Sequence, residues 1–150
     1  MIRSALRPVV LVAEDSDEDF DTLSEARSRA GVATTLERAS SGEQCLARLR
    51  ELDRAPAPLG LVLLDLNLPG LDGRGVLAEI RSDPARADVP VVVLSTSASP
   101  QDVSYCYQLG ANAFHVKPVQ YGEHLALLVD LLAYWLGRVV LPSAAVEGSS

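Results

Sequence analysis

The sequence predicts an α/β fold: a doubly wound parallel sheet of five strands with helices on both faces. Two observations carry that expectation. Five short apolar runs alternate with five segments of helical character along the whole chain. The composition is 48% hydrophobic but only 5% aromatic, with Val, Leu and Ala dominant, which suits strands buried on both faces. A chain of 150 residues fits one domain around one core, and no internal repeat or second domain is visible. Right-handed crossovers are expected between the strands.

Pro8-Val9-Val10-Leu11-Val12-Ala13 reads as a buried first strand, with proline tolerated at its first position. It ends at two adjacent carboxylates, Glu14 and Asp15. Ser16 offers an N-cap for a first helix running to about Ala30, stopped by Gly31. Asp17, Glu18 and Asp19 fall in its first turn, where acids suit the positive helix end. Glu14 and Asp15 lie before the cap, so helix electrostatics does not explain them. Their mutual repulsion calls for a nearby cation.

Thr34 to Ala39 alternates like an exposed edge strand. Ser40 or Ser41 caps a second helix from Gly42 to about Asp53, with Cys45, Leu46 and Leu49 inward, and a Pro-rich connector follows. Leu61-Val62-Leu63-Leu64-Asp65 is a buried third strand ending at a carboxylate, followed by the turn formers of Asn67-Leu68-Pro69-Gly70. Taken alone, Asp65 reads as a helix cap. A third helix spans Gly73 to Ser82, and Asp83-Pro84 ends it. Val89 to Leu94 is a fourth strand ending at Ser95. Pro100 opens a fourth helix that runs to Gly110. Ala113 to Val116 is a fifth strand ending at Lys117-Pro118, and a last helix runs from about Tyr121 to Trp135 or beyond. From Pro142 a frayed tail is expected, with the core at about 8–137.

Four strands thus end in Glu14-Asp15, Asp65, Ser95 and Lys117. In a doubly wound sheet these ends converge in one crevice. Three carboxylates together make a hard-oxygen site that suits Mg²⁺ better than Zn²⁺, and the backbone carbonyl of Asn67 is placed to complete the shell. The chemistry this supports is phosphoryl transfer onto the Asp65 carboxylate. Lys117 supplies a cation for the phosphoryl oxygens and Ser95 a hydroxyl. Lys117 is the chain's only lysine among thirteen basic residues, which sets it apart.

From Val9 to Trp135 the chain resembles the receiver domains of bacterial two-component response regulators. The resemblance rests on the acid pair after the first strand, Asp65-Leu66-Asn67-Leu68-Pro69, Asp72-Gly73, Ser95-Thr96 and Lys117-Pro118. It implies the flavodoxin-like receiver fold with strand order 2-1-3-4-5. It implies Asp65 as phospho-acceptor, with Mg²⁺ or Mn²⁺ held by Glu14, Asp15, Asp65 and the Asn67 carbonyl. It implies Ser95 and Lys117 as readers of the phosphate, and a sensor histidine kinase or phosphotransfer protein as the donor. The pair is Glu-Asp where Asp-Asp is commoner. Phe114, two residues before Val116, takes the aromatic switch position without a hydroxyl. Glu14 through Asp19, Leu94 through Ser97 and the apolar end from Tyr134 to Pro142 are similar to the stand-alone receivers that partner phytochrome-type kinases.

Leu125, Leu128, Leu132 and Trp135 form one stripe of the last helix, and Leu127, Leu131 and Tyr134 a second. A surface helix needs one. A homodimer built on Leu128, Leu132, Trp135 and Val139 is therefore expected, with two-fold symmetry. No output domain is expected, so signalling would pass through the receiver's own surface. Net charge −7 excludes nucleic acid as a direct partner. No apolar run reaches membrane-span length and no signal peptide is visible, and Cys45 and Cys106 read as reduced, half-buried residues of a cytoplasmic protein. Two other classes stay open: a receiver-like binding module that never takes phosphate, and a phosphohydrolase working through an aspartyl phosphate.

Overall fold

The computed structural model describes residues 7–142. Strands β1 (Val9–Ala13), β2 (Thr35–Ala39), β3 (Leu59–Asp65), β4 (Val91–Ser95) and β5 (Ala113–Val116) alternate with α1 (Asp17–Ala30), α2 (Gly42–Leu52), α3 (Gly73–Ser82), α4 (Pro100–Gln108) and α5 (Tyr121–Gly137). All strand pairs are parallel, and the order is β2-β1-β3-β4-β5, as the sequence leads one to expect. Because strand side chains alternate, each central strand serves two apolar layers. Leu11, Val62, Leu64 and Val93 face α2, α3 and α4, where they meet Leu49, Leu77 and Ile80. Val10, Val12, Leu63 and Leu94 face α1 and α5, where they meet Leu23, Leu128 and Leu132.

Local chemistry sets the ends of the elements. Ser16 caps α1 by accepting the Asp19 N–H at 3.1 Å, and Gly31, at φ 66°, closes it in the left-handed region. Asp72 caps α3 through the Arg74 and Gly75 N–H groups. Gly73 follows because nothing larger fits: a Cβ there would lie 2.4 Å from the Asp65 carbonyl oxygen and 2.6 Å from Leu66 Cα. The start of α3 is thereby pressed against the end of β3.

Several boundaries differ from expectation. β4 begins at Val91 instead of Val89, since Pro90 has no N–H to give the ladder. β3 begins two residues early, at Leu59, and Pro84–Arg86 form a short 3₁₀ turn after α3. Both cysteines are fully buried, not half-buried, each under the α2–α4 side of the sheet. The expected tail lies mostly outside the described residues.

The largest correction concerns α5. Leu128 and Leu132 are 1% and 0% exposed, packed against the sheet and α1, so they offer nothing to a second copy. Leu131 is buried as well, and Leu127 is partly covered, because α5 packs both on the sheet and against the neighbouring α1; only Tyr134 of the second stripe stays exposed. Leu141 also folds back, lying against Gly60 at the start of β3. What stays accessible is Tyr134, Val140 and the half-buried Trp135 and Val139.

Denaturant unfolding should separate these classes. Leu132→Ala is expected to lose about 2–5 kcal/mol of stability, while Val140→Ser should change it by less than about 0.5 kcal/mol. A neutral Leu132→Ala would remove that side chain from the core. Gly73→Ala should cost roughly 1–3 kcal/mol through overpacking against β3, read as a lower midpoint at unchanged m-value.

Candidate functional site

The C-terminal ends of β1, β3, β4 and β5 meet at one edge of the sheet. In-register pairing sets Ala13 beside Leu64 and Asp65 beside Leu94, so Glu14, Asp65 and Ser95 arrive at nearly the same height. The burial of these strands drives the arrangement: the apolar residues fill the two layers, and the first polar residue of each strand emerges at the rim.

Glu14, Asp15 and Asp65 present carboxylate oxygens within 4.8 Å of one another, the first and last buried and Asp15 exposed. The Lys117 ammonium sits among the acids. It donates to Glu14 Oε1 at 2.7 Å, Asp19 Oδ2 at 2.8 Å and Asp65 Oδ2 at 3.1 Å. Its side chain is 6% exposed, and those of Glu14 and Asp65 are 7% and 8%. Ions taken this far out of water need good partners. Here one ammonium, bonded to three carboxylates, faces a cluster of four with Asp15, so negative charge is left over. That surplus, the hard-oxygen donors and their close spacing fit a divalent cation such as Mg²⁺ or Mn²⁺.

Titration follows the same logic. Burial pushes the Glu14 carboxyl up to about 7; Lys117 pulls it down and the Asp65 charge pushes it further up, without reversing the result. Burial on its own would lower the Lys117 pKa, but its bonds to Asp19 and Glu14 and the Asp65 charge outweigh that and hold it above the ordinary lysine value.

Each remaining residue has a definite place. The Asn67 N–H donates to Asp65 Oδ1 at 2.9 Å, so the turn after β3 orients the carboxylate. Ser95 is fully buried, and its Oγ accepts the Ser97 N–H at 3.1 Å, which leaves the hydroxyl proton free to be donated. The Lys117 N–H bonds the Ser95 carbonyl at 2.7 Å, tying the two residues' backbones together. Phe114 is half-buried toward the α4 side, and its N–H donates to the Tyr107 hydroxyl at 3.1 Å. Beyond Ser95, the Ser97 hydroxyl donates to Asp102 Oδ2 at 2.8 Å, and Asp102 pairs with Arg74 of α3.

Two residues escape a reading of the sequence. Asp19 is counted there among the acids of the first helical turn. Its N–H is satisfied by the Ser16 cap, and its carboxylate turns back to Lys117. The signal was its place at the third helical position, one turn past the strand end. His124, buried in α5, lines the same cavity beside Glu14, Asp19, Asp65 and Lys117, and burial lowers its imidazole pKa. Nothing in its local sequence marks it.

Comparison with known proteins agrees with this geometry. Residues 10–129 match the response regulator receiver domain family. The response regulator Rcp1 of Synechocystis is 36% identical over 139 residues, 91% of this chain and 94% of that protein. The crystal structure of its Mn²⁺-bound form superposes with TM-score 0.83, covering 90% of this chain and 99% of that one. The phosphorylated cyanobacterial phytochrome response regulator RcpA is 34% identical with TM-score 0.84, over 91% of this chain and 99% of that one. RPA3017, a response regulator in red light signaling of R. palustris, is 38% identical with TM-score 0.77, over 90% and 98%. On the strand order, the acid-rich edge and these likenesses together, the chain belongs to the response regulator receiver domain family.

Proposed function

We propose that Asp65 is the phospho-acceptor of this receiver, and that a sensor histidine kinase or a phosphotransfer protein is the donor. The observation that carries the reading is the Asp65 carboxylate itself: held at the rim by the Asn67 N–H, buried on one side and facing an ammonium. In the transfer, an Asp65 oxygen attacks phosphorus, the N–P bond of a phosphohistidine breaks, and the imidazole leaves with that electron pair. Glu14, Asp15, Asp65 and the Asn67 carbonyl would hold Mg²⁺, which when bound neutralises charge on the phosphoryl oxygens. Lys117 contributes the second cation. Ser95 donates its hydroxyl proton to a phosphoryl oxygen. Its backbone is tied to Lys117, so the two readers move as a unit.

The new charge and acceptor oxygens then bias a two-state surface. The half-buried Phe114 on β5 and the Ser97–Asp102–Arg74 chain lie between the site and helices α3 and α4. The protein acts as a phosphorylated signal and not as a turnover catalyst. Such a relay draws on a kinase's ATP, so the cytoplasm is the compartment. The likeness to Rcp1, RcpA and RPA3017, two of them described in red-light or phytochrome signalling, supports a phytochrome-type kinase as the donor. Tyr134, Trp135, Val139 and Val140 are the residues left to a homodimer contact.

The direct test is intact mass after incubation with Mg²⁺ and acetyl phosphate. The native chain should gain one phosphate and Asp65→Asn none. Equal labelling of both would move the acceptor elsewhere. Sedimentation of the same samples reads whether assembly changes with phosphate.

The raised Glu14 pKa gives a second expectation. A carboxylate must be deprotonated to bind metal, so protons compete with Mg²⁺ below about pH 7. Mg²⁺ affinity should fall on acidification by up to about tenfold per pH unit there, and Glu14→Gln should flatten the profile. The metal-free fold behaves oppositely. Its Glu14 pKa lies above the ordinary 4.5, so the folded state holds the proton more tightly, and this stabilisation fades as pH rises through about 7.

A further inference from the structure

We propose that Asp19 is a positioning residue that keeps the Lys117 ammonium at the site when a divalent cation claims Glu14 and Asp65. The inference deepens the metal and phospho-acceptor reading and rests on it. Lys117 has three carboxylate partners, at 2.7, 2.8 and 3.1 Å. Two of them, Glu14 and Asp65, belong to the cluster that fits the metal; Asp19 does not. The ammonium and a divalent cation therefore compete for the same two carboxylates. A buried ammonium stripped of both, with no third partner, would be an uncompensated charge. Asp19 removes that obstacle. Its side chain is 32% exposed, against 7% and 8% for the other two, so it holds an ion pair at the wet edge of the cavity.

The geometry supports the role. Asp19 comes from α1 and not from a strand end, so metal binding at the rim does not recruit its backbone. Its N–H is already bonded to Ser16, which fixes the residue at the third helical position. Lys117 sits just past β5, on a backbone anchored by its N–H to Ser95. The long lysine side chain is free to pivot about that anchor toward Asp19. From there it is poised to return to phosphoryl oxygens on Asp65.

The test is a double-mutant cycle read by Mg²⁺ affinity, which requires no phosphotransfer. Asp19→Asn should weaken Mg²⁺ binding by about tenfold in the native background, because Lys117 then clings to the metal's ligands. In a Lys117→Met background the same change should have an effect of under about threefold, the remainder being the loss of one nearby charge. Equal effects in both backgrounds would overturn the proposal. Asp19→Glu should recover most of the native affinity, and failure to do so with an intact helical signal would count against it. If the native chain and Lys117→Met both fail to bind Mg²⁺, the metal reading falls and this inference with it. Binding by the native chain with an additive cycle would sink the Asp19 role alone. A second readout follows the ¹⁵N-labelled Lys117 ammonium by NMR with Mg²⁺ present. Its signal should stay protected from water exchange in the native chain and broaden in Asp19→Asn, and unchanged protection would contradict the proposal.

Discussion

A single buried ammonium ties the site together. Lys117, just past β5, bonds to carboxylates just past β1, in α1 and at the end of β3, so one side chain links four elements across the end of the sheet. The arrangement is tolerable only because each charge has partners; a lone lysine or a lone glutamate at this depth would lose its charge. Yet the acids outnumber the ammonium, and the surplus is what makes the site receptive to a divalent cation and, with it, to phosphate. Stability and reactivity here are two readings of one charge imbalance.

The rest of the molecule serves that edge. Parallel pairing and two apolar layers set the heights of the strand ends, and the Val- and Leu-rich runs supply the burial that holds them. Gly73 lets α3 start hard against the end of β3, and in the turn between them the Asn67 N–H meets the Asp65 carboxylate. On the other flank, Ser97, Asp102 and Arg74 extend hydrogen bonding from the Ser95 loop into α3 and α4. Arg74 and Ser97 hold the Asp102 carboxyl below its ordinary pKa, so this outer pair stays ionised. The site is thus connected to the surface through directed polar contacts on a rigid apolar base.

Much of this was legible beforehand. The alternation of apolar runs with helical segments, and caps such as Ser16 and the Ser40–Ser41 pair, are local signals, and they led to the right elements. The residues ending the strands were legible for the same reason: a buried strand admits no carboxylate until it reaches the rim. Boundaries slipped where a backbone property outweighed hydropathy, as at Pro90. The α5 stripes were misjudged because periodicity counts apolar faces but not how many neighbours a helix has. Two stripes looked like one too many, whereas α1 and the sheet take most of both and leave Tyr134 outside.

The sequence by itself determined the fold class, the order of elements and the identities of Glu14, Asp15, Asp65, Ser95 and Lys117, because these follow from short-range pattern and from where each apolar run ends. Only the tertiary structure decided what meets what. Asp19 and Lys117 are 98 residues apart in the chain, and their ion pair exists because α1 packs against α5, the helix that follows Lys117. His124 enters the cavity for the same reason, and Leu128 and Leu132 leave the surface because α5 packs on the sheet and against α1. Such pairings depend on packing between elements distant in sequence, and no local pattern of residues encodes that distance.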